Sequence, residues 1–250
     1  MKDLIKNIKK KKELSGVADD VIARLIEQRL ASYHTQLDQL KPKQQKLLLK
    51  LIRADLRQLT GMFHPKSSKK SRPDLLATHA STEERLPHYL QLKEKIDSLK
   101  PKIILDLGCG LNPIALATPN TAYHAADINE ADLNLVKAHF KKNHIKGSVF
   151  TFDLQHQPLS DLPQADLILL FKIIDLIDRK KGHKVTEPLL TQLNYQHLLI
   201  SFPKIKLSGK PMRYPERRWL TLMCNRLGLS HERFTLGNEL FYLVHRNYFE

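Results

Sequence analysis

Residues 102 to 113 constrain the fold of this chain more than any other stretch. The apolar run from Lys102 ends in Asp106, glycines follow at 108 and 110, and Pro113 comes next. Pro113 suits the first turn of a helix, because its fixed φ is already helical and its missing N–H has no partner there. A buried strand that runs into a tight turn and then a helix is the opening unit of a doubly wound α/β sheet. The pattern downstream agrees. Apolar runs at 102–107, 122–126, 148–152, 165–171 and 197–202 alternate with amphipathic segments. Strands buried on both faces of a parallel sheet read this way. Residues 233–236 and 240–245, separated by Gly237-Asn238-Glu239, read as a closing antiparallel pair.

The turn also narrows the ligand. A dinucleotide-binding turn needs a third glycine where helix and strand pack closely, and here Pro113 takes that place. Three carboxylates follow in order at the strand ends. Asp106, just before the glycines, suits an ammonium group. Asp127, about twenty residues on, has the spacing of a residue that binds ribose hydroxyls. Asp153 can reach an adenine amino group. Three acids at successive strand ends fit a methionine–ribose–adenine ligand, S-adenosylmethionine, and would repel a pyrophosphate.

The formal net charge is +15. Such a balance points to a polyanionic partner, nucleic acid before membrane. The excess is uneven: residues 1–72 hold 18 Lys and Arg against 7 Asp and Glu, a net of +11. In this part Val17, Val21, Ile22, Leu25, Ile26 and Leu30 recur at helical spacing. Leu47, Leu48, Leu51, Ile52, Leu56 and Leu59 do the same beyond a turn at Pro42. Residues 1–72 therefore read as a small basic helical domain for RNA binding, ahead of a methyltransferase domain at 73–250. A loop at 61–73, punctuated by Pro65, Ser67, Ser68 and Pro73, joins the two. Within 73–100, Ser81 and Glu84 have the spacing of a capping box, which predicts a helix start at Ser81. No run of 18 apolar residues predicts a membrane span. Cys109 and Cys224 form no disulfide framework or metal-ligand spacing, which fits a reducing cytoplasm.

With these residues on the page, the chain resembles the aminoglycoside-resistance 16S rRNA (guanine-N7) methyltransferases of the Arm/Rmt, or FmrO, type. The resemblance rests on separated motifs in one order: His79-Ala80-Ser81-Thr82-Glu83-Glu84-Arg85-Leu86, the 106–113 turn with Ile114-Ala115-Leu116, Ala126-Asp127-Ile128, Phe171-Lys172, Ile200-Ser201-Phe202-Pro203 with Leu207-Ser208-Gly209-Lys210, and the run from Leu236 to Leu243. It implies a class I S-adenosylmethionine-dependent methyltransferase fold, Rossmann-like, with a mostly parallel sheet whose last strand is antiparallel. It implies a monomer acting on 16S rRNA within the 30S subunit, at guanine N7 in the decoding A site of helix 44. It also implies that the 73–100 connection contributes to the cofactor pocket. The cofactor contacts it carries over are Phe63, His79, Ala80, Ser81, Arg85, Gly108, Gly110, Asp127, Ile128, Asp153, Leu154 and Phe171, beside Asp106. Lys172 matches a lysine near the target nucleotide, and Lys206, Lys210, Met212 and Arg213 fall on the loop expected to position the base. Two departures stand out. Asp175 replaces a proline common in the family, and the run Lys210-Pro211-Met212-Arg213-Tyr214 replaces a longer glycine-containing loop.

Guanine N7 has a lone pair and no proton, so no residue is expected to act as a general base. Tyr214 and Trp219, interleaved with the basic residues of 203–218, are of the types that stack on bases. Three other readings remain: methylation of a different rRNA nucleotide or another RNA, a methyltransferase for small molecules or proteins, and a non-catalytic RNA-binding protein of the same fold. The intact set Asp106, Gly108, Gly110 and Asp127 speaks for an enzyme.

Overall fold

The computed structural model describes residues 1–60, 75–178, 182–206 and 209–246. Seven strands form one sheet in the order β3-β2-β1-β4-β5-β7-β6. They are β1 (Ile103–Leu107), β2 (Ala122–Asp127), β3 (Val149–Thr151), β4 (Leu167–Phe171), β5 (His197–Pro203), β6 (Ser230–Leu236) and β7 (Glu239–His245). The first five are parallel; β7 runs antiparallel to β5, and β6 antiparallel to β7. Each apolar run of the sequence is a strand. Burial on both faces follows the period of two. In β4, Leu167, Leu169 and Phe171 enter one core, while Ile168 and Leu170 enter the other.

The first core is covered by α5 (Tyr89–Ser98), α6 (Asn112–Leu116) and α7 (Glu130–Lys142), and the second by α8 (Ile174–Ile177), α9 (Thr186–Gln192) and α10 (Arg218–Arg226). Pro113 lies in the first turn of α6, as its position predicts. The chain leaves β1 to build β2 and β3 on one side, then returns to build β4 on the other. That reversal, at the carboxyl ends of the strands, is where a sheet of this kind takes ligands.

Ahead of the sheet, α1 (Lys2–Lys9), α2 (Asp19–Ser32) and α3 (Pro42–Leu59) pack around a hydrophobic cluster of their own, centred on Ile8, Ile22, Ile26, Ile52 and Leu56. Arg29 ties α2 to α3 with two bonds to Asp55, at 2.9 and 2.7 Å. The buried stripe of α3 is narrower than its leucines suggest. Leu48, Ile52 and Leu56 are inside, four residues apart, whereas Leu47 is one position off the stripe and is 56% exposed. The expected boundary at residue 72 lies outside the described residues.

The helix start expected at Ser81 needs correction. Helix α4 (Ala80–Arg85) has His79 in the capping position, two residues before Ser81, and no side chain closes the cap. Glu84 is turned instead toward Lys172, at 2.5 Å. Pro87 falls in a single 3-10 turn (Leu86–His88) that separates α4 from α5, where its missing N–H breaks no helical bond.

The helical unit is seated on the sheet through backbone contacts. Ala18 N–H donates to the Ile128 carbonyl at 2.9 Å, and Glu130 N–H donates to the Gly16 carbonyl at 2.7 Å. Gly16 has room for nothing larger. A Cβ there would lie 2.2 Å from Asn129 Oδ1, the atom that caps α7 by accepting from Ala131 N–H at 3.1 Å. Gly16→Ala is therefore expected to destabilise the chain by about 1 kcal/mol, the typical worth of a helix cap, as a lower urea midpoint with unchanged slope.

Candidate active site

A cavity of about 370 Å³ opens at the reversal of the sheet. Most of the residues singled out in the sequence border it. Gly108 and Gly110 come from the turn after β1, Asp127 and Ile128 from the end of β2, and Asp153 and Leu154 from the loop after β3. Phe171 and Lys172 come from the end of β4, and His79, Ser81 and Arg85 from the α4 segment. Lys206 and Met212 of the loop between β5 and α10 complete this set. Lys210 and Arg213 do not border the cavity. Ala80 is the first residue of α4. Phe63 lies outside the described residues.

The turn takes its shape from its glycines and from Asp127. Gly108 has φ +69° and Gly110 φ +49°, both left-handed, and a Cβ at 108 would lie 3.0 Å from Ile173 Cδ1. Gly110 N–H donates to Asp127 Oδ2 at 2.8 Å, and Asn129 N–H donates to Asp127 Oδ1 at 2.9 Å. Asp127 thus clamps the turn after β1 to the end of β2. Burial, helped by the nearby Asp132 carboxylate, pushes its pKa up to about 6 against the pull of the backbone N–H groups.

Asp106 differs from the expectation that it faces the ligand directly. It takes an inward position of β1, is fully buried and does not border the cavity. Its Oδ2 accepts from the Tyr123 hydroxyl at 2.8 Å, while its Oδ1 has no protein partner. Burial raises its pKa to about 7, opposed by the Tyr123 bond and by Arg85.

Sequence reasoning missed the largest polar feature beside the cavity. Arg85 and Glu239 form a buried ion pair, each 3% exposed. Arg85 Nε donates to Glu239 Oε2 at 2.8 Å and Nη2 donates to Oε1 at 2.6 Å. Nη1 donates to Asn112 Oδ1 at 2.8 Å, and the guanidinium lies 4.8 Å from the centre of the Phe171 ring. Glu239 also accepts from the Ser201 hydroxyl, and Lys172 Nζ stands 3.6 Å away. Burial disfavours both charges, but each holds the other ionised: the Arg85 pKa is raised, and the Glu239 pKa is lowered by Arg85 and Lys172. A glutamate one residue past a hairpin turn, at the head of a strand buried on both faces, was the available signal.

Asp153 has more partners than its strand-end position suggests. His156 Nδ1 and Arg24 Nη1 meet its Oδ2 at 2.8 and 3.0 Å, and Gln155 N–H donates to its Oδ1 at 3.0 Å. Burial favours the proton, yet His156 and Arg24 hold the carboxyl below its ordinary pKa. Asp175, the departure from the family proline, borders the cavity and pins the loop between β5 and α10. Arg217 Nη2 donates to its Oδ2 at 2.5 Å, and the same guanidinium donates to the Tyr214 and Pro215 carbonyls. The two aromatics of this loop part company. Tyr214 is 74% exposed, whereas Trp219 packs against the second core and stacks on His183 with centroids 3.8 Å apart.

Two measurements check this electrostatics. Glu239→Ala leaves Arg85 charged and buried without its partner, which is expected to cost about 3–5 kcal/mol in urea unfolding. Asp106 gives a pH signature. Unfolded it ionises near pH 4; folded it ionises at about 7. Between these values the folded chain keeps a proton that the unfolded chain has lost, so this group's stabilisation is full below about pH 4 and declines until about pH 7. Asp106→Asn removes that decline. The stability of the variant relative to wild type is expected to rise from pH 4 to pH 7 and to be flat above.

A family model described as "Ribosomal RNA methyltransferase (FmrO)" matches residues 10–243. A 16S rRNA (guanine(1405)-N(7))-methyltransferase of Serratia marcescens is 34% identical over 177 residues, covering 69% of this chain and 69% of that protein. One of the same description from Proteus mirabilis is 29% identical over 187 residues, covering 69% of this chain and 64% of its own length. Among solved structures, that of the 16S rRNA methyltransferase RmtF in complex with S-adenosyl-L-homocysteine aligns over 98% of both chains with a TM-score of 0.76 and 25% identity. The chain thus spans about two thirds of the curated relatives it matches in sequence and nearly the whole of RmtF. Matched by the family model over most of its length, the chain belongs to the ribosomal RNA methyltransferase (FmrO) family.

Proposed function

We propose that this protein methylates N7 of a guanine in 16S rRNA, within the 30S subunit at the decoding A site of helix 44, using S-adenosylmethionine, and that the modification confers aminoglycoside resistance. The observation that carries this reading is the cavity at the sheet reversal, bordered in order by the glycine turn, Asp127 and Asp153. Its volume is in the range of small-molecule sites. The named activity of the relatives supports the choice of RNA and atom.

The residues present fit the methyl donor. Asp106 Oδ1, off the cavity wall but next in the chain to the glycine turn that borders it, is a buried acceptor that no protein group uses. The clamped Asp127 carboxylate retains lone pairs for ribose hydroxyls. Asp153, with three bonds in place, keeps one acceptor position on Oδ1 for an exocyclic amine. Bound there, S-adenosylmethionine supplies an electrophilic methyl group on a positively charged sulfur. Every other task falls to positioning.

Guanine N7 needs no base to remove a proton. The base must leave its stack to reach a recessed methyl. Lys172, Lys206 and Met212, all on the cavity wall, are placed to hold it there. Lys210 and Arg213, outside the cavity on the same loop, are placed for phosphates, and exposed Tyr214 for stacking. The lysines at 43, 46 and 50 on α3 and those at 10 and 11 in the turn after α1 are exposed, and through them that unit grips rRNA by counterion release. A neighbouring rRNA nucleotide is the second reading, favoured by Asp175 and the Arg217-pinned loop at the cavity edge.

The test is incubation of the purified chain with 30S subunits and methyl-labelled S-adenosylmethionine. Borohydride reduction, aniline scission and primer extension then locate any N7-methylguanine. The expected result is one label per subunit and a single scission in the decoding-site helix. Label without scission would overturn the N7 assignment; scission elsewhere would overturn the position; no label would overturn the substrate.

A further inference from the structure

The amino-terminal helices touch the cavity in three independent places. Arg24 of α2 reaches the loop after β3, where its Nη1 donates to Asp153 Oδ2 at 3.0 Å; its Nη2 lies 3.4 Å from Asp20. The Asp153 side chain is only 8% exposed. The short strand β3 lies at the edge of the sheet, so this loop has a neighbour strand on one side only. Val21, one turn from Arg24 on the same helix, borders the cavity itself, as do Leu59 and Thr60 at the end of α3. The third contact is the backbone pairing of 16–18 with 128–130. It presses the helical cluster against Ile128, which also borders the cavity.

The helices therefore back both loops that carry ligand-facing acids, the one after β2 and the one after β3. A detached RNA-gripping appendage would need none of these contacts. We infer that the amino-terminal helical unit is one wall of the cofactor site, with Arg24 a positioning residue that holds the Asp153 carboxylate for the ligand. Cofactor binding and the seating of the helices on the sheet are then linked. By reciprocity, whatever the seated helices add to cofactor affinity, the cofactor adds to their seating. A protein that holds its cofactor thereby presents its basic helices in a fixed orientation to RNA. This rests on the S-adenosylmethionine reading given above.

The test uses the full chain and S-adenosylhomocysteine as the probe. Calorimetry compares wild type, Arg24→Ala and Arg24→Lys, and hydrogen exchange follows amides 16–30 with and without the probe. Arg24→Ala is expected to weaken binding about tenfold, within the usual range of coupling between sites. Arg24→Lys is expected to restore most of it, since an ammonium can still make one charge-assisted bond to Asp153. In wild type the probe should slow exchange across 16–30, and in Arg24→Ala that slowing should shrink. A folded Arg24→Ala with wild-type affinity would overturn the inference even if its melting temperature fell, because a purely structural arginine would behave in that way. So would a wild-type chain that binds the probe with no change in exchange. A wild-type chain that binds no probe would overturn the cofactor reading and this inference with it, a result distinct from the other two.

Discussion

The buried pair Arg85–Glu239 is the constraint on which the rest of the site depends. It joins the short helix before the sheet to the last buried strand, beside the glycine turn. Two charges removed from water are tolerable only when their remaining lone pairs and protons are met. Here Asn112, Ser201 and the face of Phe171 meet them. Each of those partners is itself fixed: Asn112 in the first turn of α6, Ser201 in the middle of β5, Phe171 at the end of β4. One ion pair thus sets the spacing of five elements around the cavity, and the same network reaches Lys172 and, through it, Glu84 on the exposed side of α4.

A second constraint is the economy of the carboxylates. Asp106, Asp127 and Asp153 lie within one small region, yet they are held in three electrostatic states. Asp106 is sealed in with a tyrosine hydroxyl, Asp127 is clamped by backbone N–H groups, and Asp153 is bonded by Arg24 and His156. Their pKa values are accordingly pushed up to about 7, up to about 6, and down. Like charges at close quarters are made compatible by differing solvation, not by distance.

The sheet was legible because apolar runs on a strand buried on both faces are unmistakable, and because Pro113 and the glycines punctuate the first turn. The order of Asp106, Asp127 and Asp153 along the chain led to the carboxyl ends of β1, β2 and β3, where the cavity opens. What stayed hidden was partnership. Ser81 and Glu84 have capping-box spacing, but His79 and Glu84 find buried or ionic partners far along the chain, at Asp132 and Lys172, and those tertiary contacts move the helix start. Glu239 stood in plain view within a quoted motif, but nothing local says that its carboxylate is buried or that Arg85 is its counter-ion. Leu47 was misplaced because three adjacent leucines in a helix, 47 to 49, cannot all face one way. Arg24 looked like one basic residue among many, and only the folded chain brings it to Asp153.

The hairpin that carries Glu239 has a temporal consequence. Arg85 and its counter-ion are separated by 154 positions. During synthesis the arginine emerges first, and its counter-ion follows only with the last strand of the sheet. Gly237, at the bend before that strand, packs so closely on His88 that a Cβ would lie 2.3 Å from its Nε2, so the hairpin also closes over the turn behind α4. Long-range contacts of this kind form late and fold slowly. A truncated or unfinished copy that lacks this strand therefore carries every glycine and aspartate of the site without the carboxylate that pairs with Arg85.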